Sequence, residues 1–370
     1  MNYILERISV FFKKNIYFCN SNPNAFFMKK KVRKILFAAL AVPLIVVVYL
    51  TYVFFAPNIF PKKETETFVC IPENTSFEDV VKLIKNESRV WDRYSLRLTA
   101  KIFDYDKNIR SGRYALKKGM NNFALIRNLR SGRQVPLRLT FNNIRTKEQL
   151  AGRLSSQLMT DSLTFLKLLN NSQFLSQYAL NPDNSVVIFI PDTYEVFWNI
   201  KPKKLFDRMY REYLKFWNEE RRQKAASIPL TPIEVSILAS IVEEESNKSY
   251  EQPIIAGVYI NRLKNKMPLQ ADPTIKFAWK DFSLKRIKGQ HLQINSPFNT
   301  YKFQGLPPGP IRLPSPQVID AVLNYSHHSY LYMCAKETLN GEHNFAATLA
   351  QHLINARKYQ RALNERQIFE

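Results

Sequence analysis

The sequence predicts an α+β fold in three parts: one N-terminal transmembrane helix, a small mixed domain and a larger mixed α+β domain. Three patterns predict it. Residues 35–56 form an apolar run of 22 residues without a charge. Residues 67–120 alternate in the order strand, helix, helix, strand. Beyond residue 142, amphipathic and wholly apolar helical patterns alternate with short extended segments and a Pro-rich, aromatic loop. The expected limits are 1–34 for a basic cytoplasmic N-terminus, 35–56 for the helix and 57–66 for a linker. The small domain with its connection takes 67–141, and the large domain 142–370.

The chain has 370 residues, enough for an anchor and two folded units at roughly 100–200 residues per domain. Apolar residues make up 45%, with 26 Phe and 18 Tyr, so a sizeable core can form and disorder throughout is excluded. The net charge of +23 points to polyanionic partners. Nucleic acid is not expected among them, because no zinc-finger spacing, homeodomain signature or aromatic RNA-binding motif is present. The cysteines, Cys19, Cys70 and Cys334, form no CxxC pair and indicate no disulfide framework. Cys70 and Cys334 lie on the same side of the apolar run, where a bridge is open to them, but two small buried hydrophobes are the expected reading.

Ile35–Ala56 reads ILFAALAVPLIVVVYLTYVFFA. At about 1.5 Å per residue it spans a hydrocarbon core of roughly 30 Å. Pro43 is tolerated in a membrane helix. Lys29, Lys30, Lys31, Arg33 and Lys34 precede it, a stronger basic cluster than Lys62 and Lys63 beyond it. The N-terminus should therefore stay in the cytoplasm and the rest of the chain outside, as a single-pass protein of the cytoplasmic membrane. A cleaved signal peptide would need a shorter apolar region and a small-residue site, which Val53-Phe54-Phe55 does not provide. Met28 followed by KKKVRKILF has the form of a natural start, which would make Met1 an upstream misassignment.

In the small domain, TFVCIP (67–72) is expected as a strand. Thr75 and Glu78 form a capping box for the helix that follows. A second helix is expected from Trp91 to Phe103, a strand at Gly112–Leu116, a helix at Phe123–Leu129 and a strand at Val135–Phe141. The order over 67–120 resembles a LysM-like module, a type that binds N-acetylglucosamine polymers. A plain positioning domain is the alternative.

The large domain is expected to open with helical pattern from Lys147 to Tyr178 and a buried strand at Ser185–Phe189. A charged amphipathic helix follows from Leu205 to Lys224. Then comes TPIEVSILASIVEEES, with Thr231 as N-cap, Pro232 in the first helical position and Glu234 completing the box. Its apolar residues leave little polar surface, so it should be buried on most sides. It ends in Glu243, Glu244 and Glu245. Carboxylates at a helix C-terminus oppose the macrodipole and one another, and partial burial adds to this. All three effects raise a carboxyl pKa, which suits a general acid near neutral pH. A solvated acidic helix end is the alternative. VYINRLKNKMPLQADPTIKFA follows as a helix that turns into an extended polar strip with Gln270, Asp272 and Thr274. SPFNTYKFQGLPPGPIRLPSP is too aromatic for a flexible linker and fits a rigid loop beside a sugar groove. YLYMCA (330–335) is expected as a core strand, and His343 and His352 in structural roles.

LASIVEEES, INRLKNKMPLQADPT, SPFNTYKFQGLPPGPI, EHNFAATLAQH and IPDTY together resemble the endolytic murein transglycosylases, the YceG-like family, over roughly residues 140–360. The resemblance implies a membrane-anchored enzyme with a LysM-like part and a catalytic domain in the periplasm. It implies non-hydrolytic cleavage of the MurNAc-β-1,4-GlcNAc bond of peptidoglycan strands, leaving 1,6-anhydro-MurNAc ends during wall assembly or strand termination. By this mapping Glu243 is the single catalytic acid/base and Glu245 a second recurrent acid of the motif. Glu244 departs from the often basic middle position. No metal or cofactor is implied, while penicillin-binding proteins and the elongation or division machinery are implied as partners. The wall's lactyl and peptide carboxylates would match the basic ectodomain.

An open glycan cleft needs several hydroxyl and acetamido partners. Gln270, Asp272, Asn299 and Tyr301, in segments stiffened by Pro268, Pro273, Pro297 and Pro307, are the expected substrate-binding groups facing Glu243, and Glu245 is counted with them. Asp272 and Asn299 could instead cap turns. Two further readings stand beside the first. One is a hydrolytic muramidase with Glu243 as acid and Asp272 or Glu245 as base. The other is a non-enzymatic wall-binding scaffold. The products separate the three: anhydro ends, reducing ends or none.

Overall fold

The computed structural model describes residues 24–284 and 286–366, with side chains from Val32 onward. Cys19 and most of the segment before Met28 lie outside the described residues. The chain forms two compact units that divide between Arg133 and Gln134.

The first unit begins with α1 (Asn24–Phe55), which contains Pro43. Its portion Val32–Phe55 is long and apolar enough to cross a membrane. Nearly all of its side chains point outward, but Val53 is buried in the domain that follows. Next come β1 (Pro57–Pro61), β2 (Thr67–Ile71), α2 (Phe77–Glu87), β3 (Ser88–Val90) and α3 (Arg93–Ile102). β4 (Gly112–Leu116), β5 (Met120–Asn121) and α4 (Asn122–Ser131) complete the unit. β1 is the centre of a three-stranded antiparallel sheet, with Ile59 opposite both Val90 and Met120. β2 and β4 pair antiparallel, from Thr67 opposite Leu116 to Ile71 opposite Gly112.

The expected strand–helix–helix–strand order is therefore present, with β3 inserted between the helices. The core is made by alternate strand residues Val69, Ile71, Tyr114 and Leu116 and by the apolar helix faces of Val80, Ile84, Leu96, Leu125 and Leu129. The cap of α2 is Ser76, whose hydroxyl accepts from Asp79 N, while Thr75 donates back to Pro72 O. The expected Thr75–Glu78 box thus gives way to a cap one residue later. Glu78 instead pairs with Arg97.

The second unit opens with β6 (Leu137–Thr140), α5 (Lys147–Ser155), α6 (Ser162–Leu169), α7 (Ser172–Leu175) and β7 (Thr193–Val196). β6 pairs antiparallel with β7, which draws the stretch after Arg133 into this unit rather than into the smaller one. The apolar run 185–188 is a 3₁₀ turn instead of the expected strand. Val187 N bonds Asn184 O and Phe189 N bonds Val186 O. Apolar side chains bury that turn on all sides, and a short run with no polar interval carries no period to tell strand from helix.

The expected helix from Leu205 to Lys224 is two helices, α8 (Pro202–Phe216) and α9 (Glu219–Ser227). Trp217 is buried at the break, and Asn218 caps the second helix by accepting from Arg221 N. The remaining elements are α10 (Pro232–Glu245), α11 (Gln252–Lys264), α12 (Asp272–Trp279), α13 (Pro316–Leu323), β8 (Tyr332–Ala335), β9 (His343–Ala346) and α14 (Leu349–Glu365). Asp272 onward is helical rather than extended, with Pro273 in the first turn and Thr274 donating to Ala271 O. β8, expected in the core, is half-buried throughout. Cys70 and Cys334 are both free.

Candidate active site

The site is built on the end of α10. Thr231 Oγ1 accepts from Glu234 N while the Glu234 carboxylate accepts from Thr231 N, so the capping box is complete. Val235 through Val242 are all buried, which seats the helix in the core. Ser240 sits in that buried stretch and accepts from Ile311 N at 3.0 Å, tying the Pro-rich loop to the helix.

The three glutamates leave the helix in different directions. At 3.6 residues per turn, positions two apart point roughly 200° apart, so Glu243 and Glu245 cannot face the same space. Glu243 turns toward the Pro-rich loop. Its Oε2 accepts from Ser315 N at 2.7 Å, at the N-terminus of α13, and its Oε1 lies 3.4 Å from Arg312. Glu244 accepts a fork from Arg145, at 2.8 and 2.9 Å, and a further bond from Arg312 at 2.9 Å. Both carboxylates act as acceptors that hold the loop and the start of the domain to α10.

Glu245 faces a cleft of about 490 Å³ and takes part in lining it with Tyr259, Gln270, Asp272, Tyr301 and His343. Neither Glu243 nor Asn299 lines it. Of the two acids, Glu245 lines the cleft with Gln270, Asp272 and Tyr301, three of the groups expected to bind substrate, and Glu243 does not.

The surroundings of Glu245 favour its neutral form. Burial is the main cause, and the negative charges of Asp272 and Glu244 add to it. A bond from Tyr259 OH at 2.6 Å and the charge of Lys276 oppose the shift. The balance pushes the carboxyl up to about 7. Burial and the nearby Glu245 also raise Tyr259 well above the ordinary phenol range, so it remains a donor.

Asp272 accepts from Tyr301 OH at 2.5 Å. Burial and that carboxylate raise the Tyr301 phenol as well. Gln270 has a left-handed backbone, with φ of 51°. Its side-chain oxygen accepts from Arg262 at 3.0 Å. Arg262 is buried and also donates to Pro268 O, Leu269 O and Leu331 O, so it fixes the cleft floor.

Asn299 is fully buried. It donates to Leu292 O and Ile294 O and accepts from Tyr301 N and Lys302 N. Asn299 thus shapes the loop that presents Tyr301, in the turn-capping role rather than the substrate role. Asn299→Ala should lower thermal stability by about 1–3 kcal/mol with the turnover of the folded fraction unchanged. Thermal denaturation alongside active-fraction kinetics checks this, and lost turnover at an unchanged midpoint would contradict it.

Sequence reasoning missed Tyr259, Arg262 and the Glu251–His343 pair. Glu251 is buried, accepts from His343 N at 2.8 Å and lies 3.1 Å from its ring Nδ1, with Ser246 donating to the same carboxylate. Tyr259 and Arg262 stand three apart on α11, a spacing that places them on one face and was available as a signal. Nothing in sequence links Glu251 to His343, 92 positions away.

A model of the YceG-like family matches residues 69–358. A curated endolytic murein transglycosylase of Bacillus subtilis is 27% identical over 327 residues, covering 82% of this chain and 87% of that protein. One from Streptococcus pneumoniae is 26% identical over 322 residues, covering 77% of this chain and 58% of that protein. Among solved structures, a yceG-like protein of Listeria monocytogenes is similar in fold, with a TM-score of 0.52 at 23% identity. That alignment covers 79% of this chain and 99% of the Listeria chain.

Proposed function

The chain belongs to the YceG-like family, and from that premise we propose that it is an endolytic lytic transglycosylase of peptidoglycan whose acid/base is Glu245. The observation that carries the reading is a carboxyl pushed up to about 7, opening on a polar cleft beside Asp272 and Tyr301. The names of the Bacillus and Streptococcus relatives support the reaction class.

Protonated Glu245 donates to the glycosidic oxygen between MurNAc and GlcNAc as that bond breaks. The same carboxylate, now ionised, takes the proton from the muramyl C6 hydroxyl as its oxygen closes on C1. The product is a 1,6-anhydro end, and Glu245 is again protonated. Because the attacking hydroxyl belongs to the substrate, one carboxylate suffices, where an ordinary glycosidase uses two. Asp272, Tyr301 and Gln270 offer partners to sugar hydroxyl and acetamido groups. Mass spectrometry of products from purified glycan strands tests the reading: anhydromuramyl ends are expected, and their absence would refute it. Asp272 in the same cleft keeps hydrolysis as a second reading, in which it would activate water and the products would carry reducing ends.

In this reading α1 is a retained single-pass anchor, with Lys29–Lys34 in the cytoplasm and the chain from Pro57 onward outside. The small domain serves as a LysM-like wall-binding part. A reporter fused after Lys63 is expected to register an extracytoplasmic location and one after Lys34 the cytoplasm. The reverse pattern would overturn the topology.

A further inference from the structure

The small unit contains a second cavity, of about 670 Å³, at the end of the apolar helix. Its lining combines Phe103, Ile109, Phe123 and Ile126 with Arg110, Arg127 and Arg130. Phe103 packs edge-on against Phe54 at 5.8 Å, and Phe123 lies 5.5 Å from Phe55. The apolar wall of the cavity is thus continuous with the last turn of α1.

That turn is held in place rather than loosely tethered. Asn122, buried at the start of α4, donates to Val53 O at 2.8 Å and to Ser95 Oγ at 2.9 Å, and accepts from Asn58 at 2.6 Å. Asn58 in turn bonds both N and O of the Asp92 backbone groups, through Asp92 N at 2.6 Å and Asp92 O at 2.8 Å. The network joins the helix exit, β1 and the starts of α3 and α4, so the cavity keeps a fixed distance from the end of the apolar span.

The three arginines are exposed, and none has a carboxylate at ion-pair distance among the described residues. Arg127 lies over the Phe123 ring, 5.4 Å from its centre. Arg110 packs over Gly132, where a Cβ would come within 3.3 Å of its chain. Guanidinium groups fork onto phosphate oxygens, and rings and isoleucines beside them accommodate the hydrocarbon next to a phosphate ester. A free anion needs only the first of these.

We propose that this cavity seats the phosphate of an anionic phospholipid headgroup at the membrane surface from which α1 emerges. The assignment rests on the reading of α1 as a membrane span. It would set the height and tilt of the small unit above the bilayer.

The test uses the full chain in nanodiscs of phosphatidylcholine alone and in nanodiscs of phosphatidylcholine with phosphatidylglycerol. Native mass spectrometry then reads the lipid that stays with the protein. Phosphatidylglycerol is expected to be retained by the native chain, and on the order of tenfold to a hundredfold more weakly by the Arg110→Ala/Arg127→Ala/Arg130→Ala variant. The matching triple Lys variant, which keeps charge but not the fork, should fall between them. The basic residues 29–34 are common to all three chains, so they cancel from the comparison. Equal retention by the native and triple Ala chains overturns the proposal. So does displacement of the lipid by inorganic phosphate with no preference over phosphatidylcholine, which would mark a site for soluble anions. A chain that fails to enter nanodiscs of either composition refutes the anchor itself, a distinct failure seen before any lipid is counted.

Discussion

Glu245→Gln is expected to lower anhydromuramyl product formation by about 10²–10⁴-fold while the protein stays folded. The amide preserves shape and still accepts from Tyr259 OH, but it cannot give up and regain a proton. Glu243→Gln should retain most turnover per folded molecule, because its carboxylate faces Ser315 N and Arg312 rather than the cleft. The pair of variants therefore separates two acids only two residues apart.

The pH profile adds a readout that a merely structural role would not move. Burial holds the Glu245 pKa above its ordinary value, at about 7. The protonated form needed for the first step is lost as pH rises through that value, and turnover should fall roughly tenfold per further pH unit. The linkage to stability has the same sign. The unfolded chain, with the ordinary carboxyl pKa, binds fewer protons than the folded one between the two values. Stability should thus decline as pH rises across that window, and Glu245→Gln should remove the decline. Wild-type turnover by a folded Glu245→Gln protein, or a high-pH limb that moves in Glu243→Gln, would return the role to another group.

The helices and the large-scale order were legible because their signals are local. The capping box at Thr231–Glu234, the apolar span of α1 and the Pro/Gly-dense loop all involve residues a few positions apart. Gln270, Asp272 and Tyr301, singled out in the sequence, line one cleft. What could not be read was which of Glu243 and Glu245 enters it. That depends on the rotation of α10, and a helix apolar on nearly every side has no polar stripe to fix its rotation in advance. Asn299 shows the complementary limit. A polar side chain in a Pro-rich loop suits ligand and backbone equally, and only the positions of Leu292 O and Ile294 O decide between them.

The cluster that turns α10 to this orientation leads to the largest expected loss of stability. Arg312 is nearly buried, its side chain 12% exposed. It donates to Glu244 at 2.9 Å and to Asn143 at 3.2 Å and lies 3.4 Å from Glu243. It thereby offsets two adjacent carboxylates at the negative end of a helix, where the macrodipole already disfavours them. Arg312→Ala leaves Glu243 with Ser315 N alone and Glu244 with Arg145 alone. Removing one partner of such a buried cluster costs about 3–5 kcal/mol, because the remaining charge stays desolvated. Arg312→Lys should recover only part, since an ammonium cannot bridge Glu244 and Asn143 as a fork does. Urea unfolding of the three proteins at neutral pH measures the ranking. A midpoint for Arg312→Ala equal to the native one would show that the cluster does not hold the helix end, and the orientation of Glu245 would then need another cause.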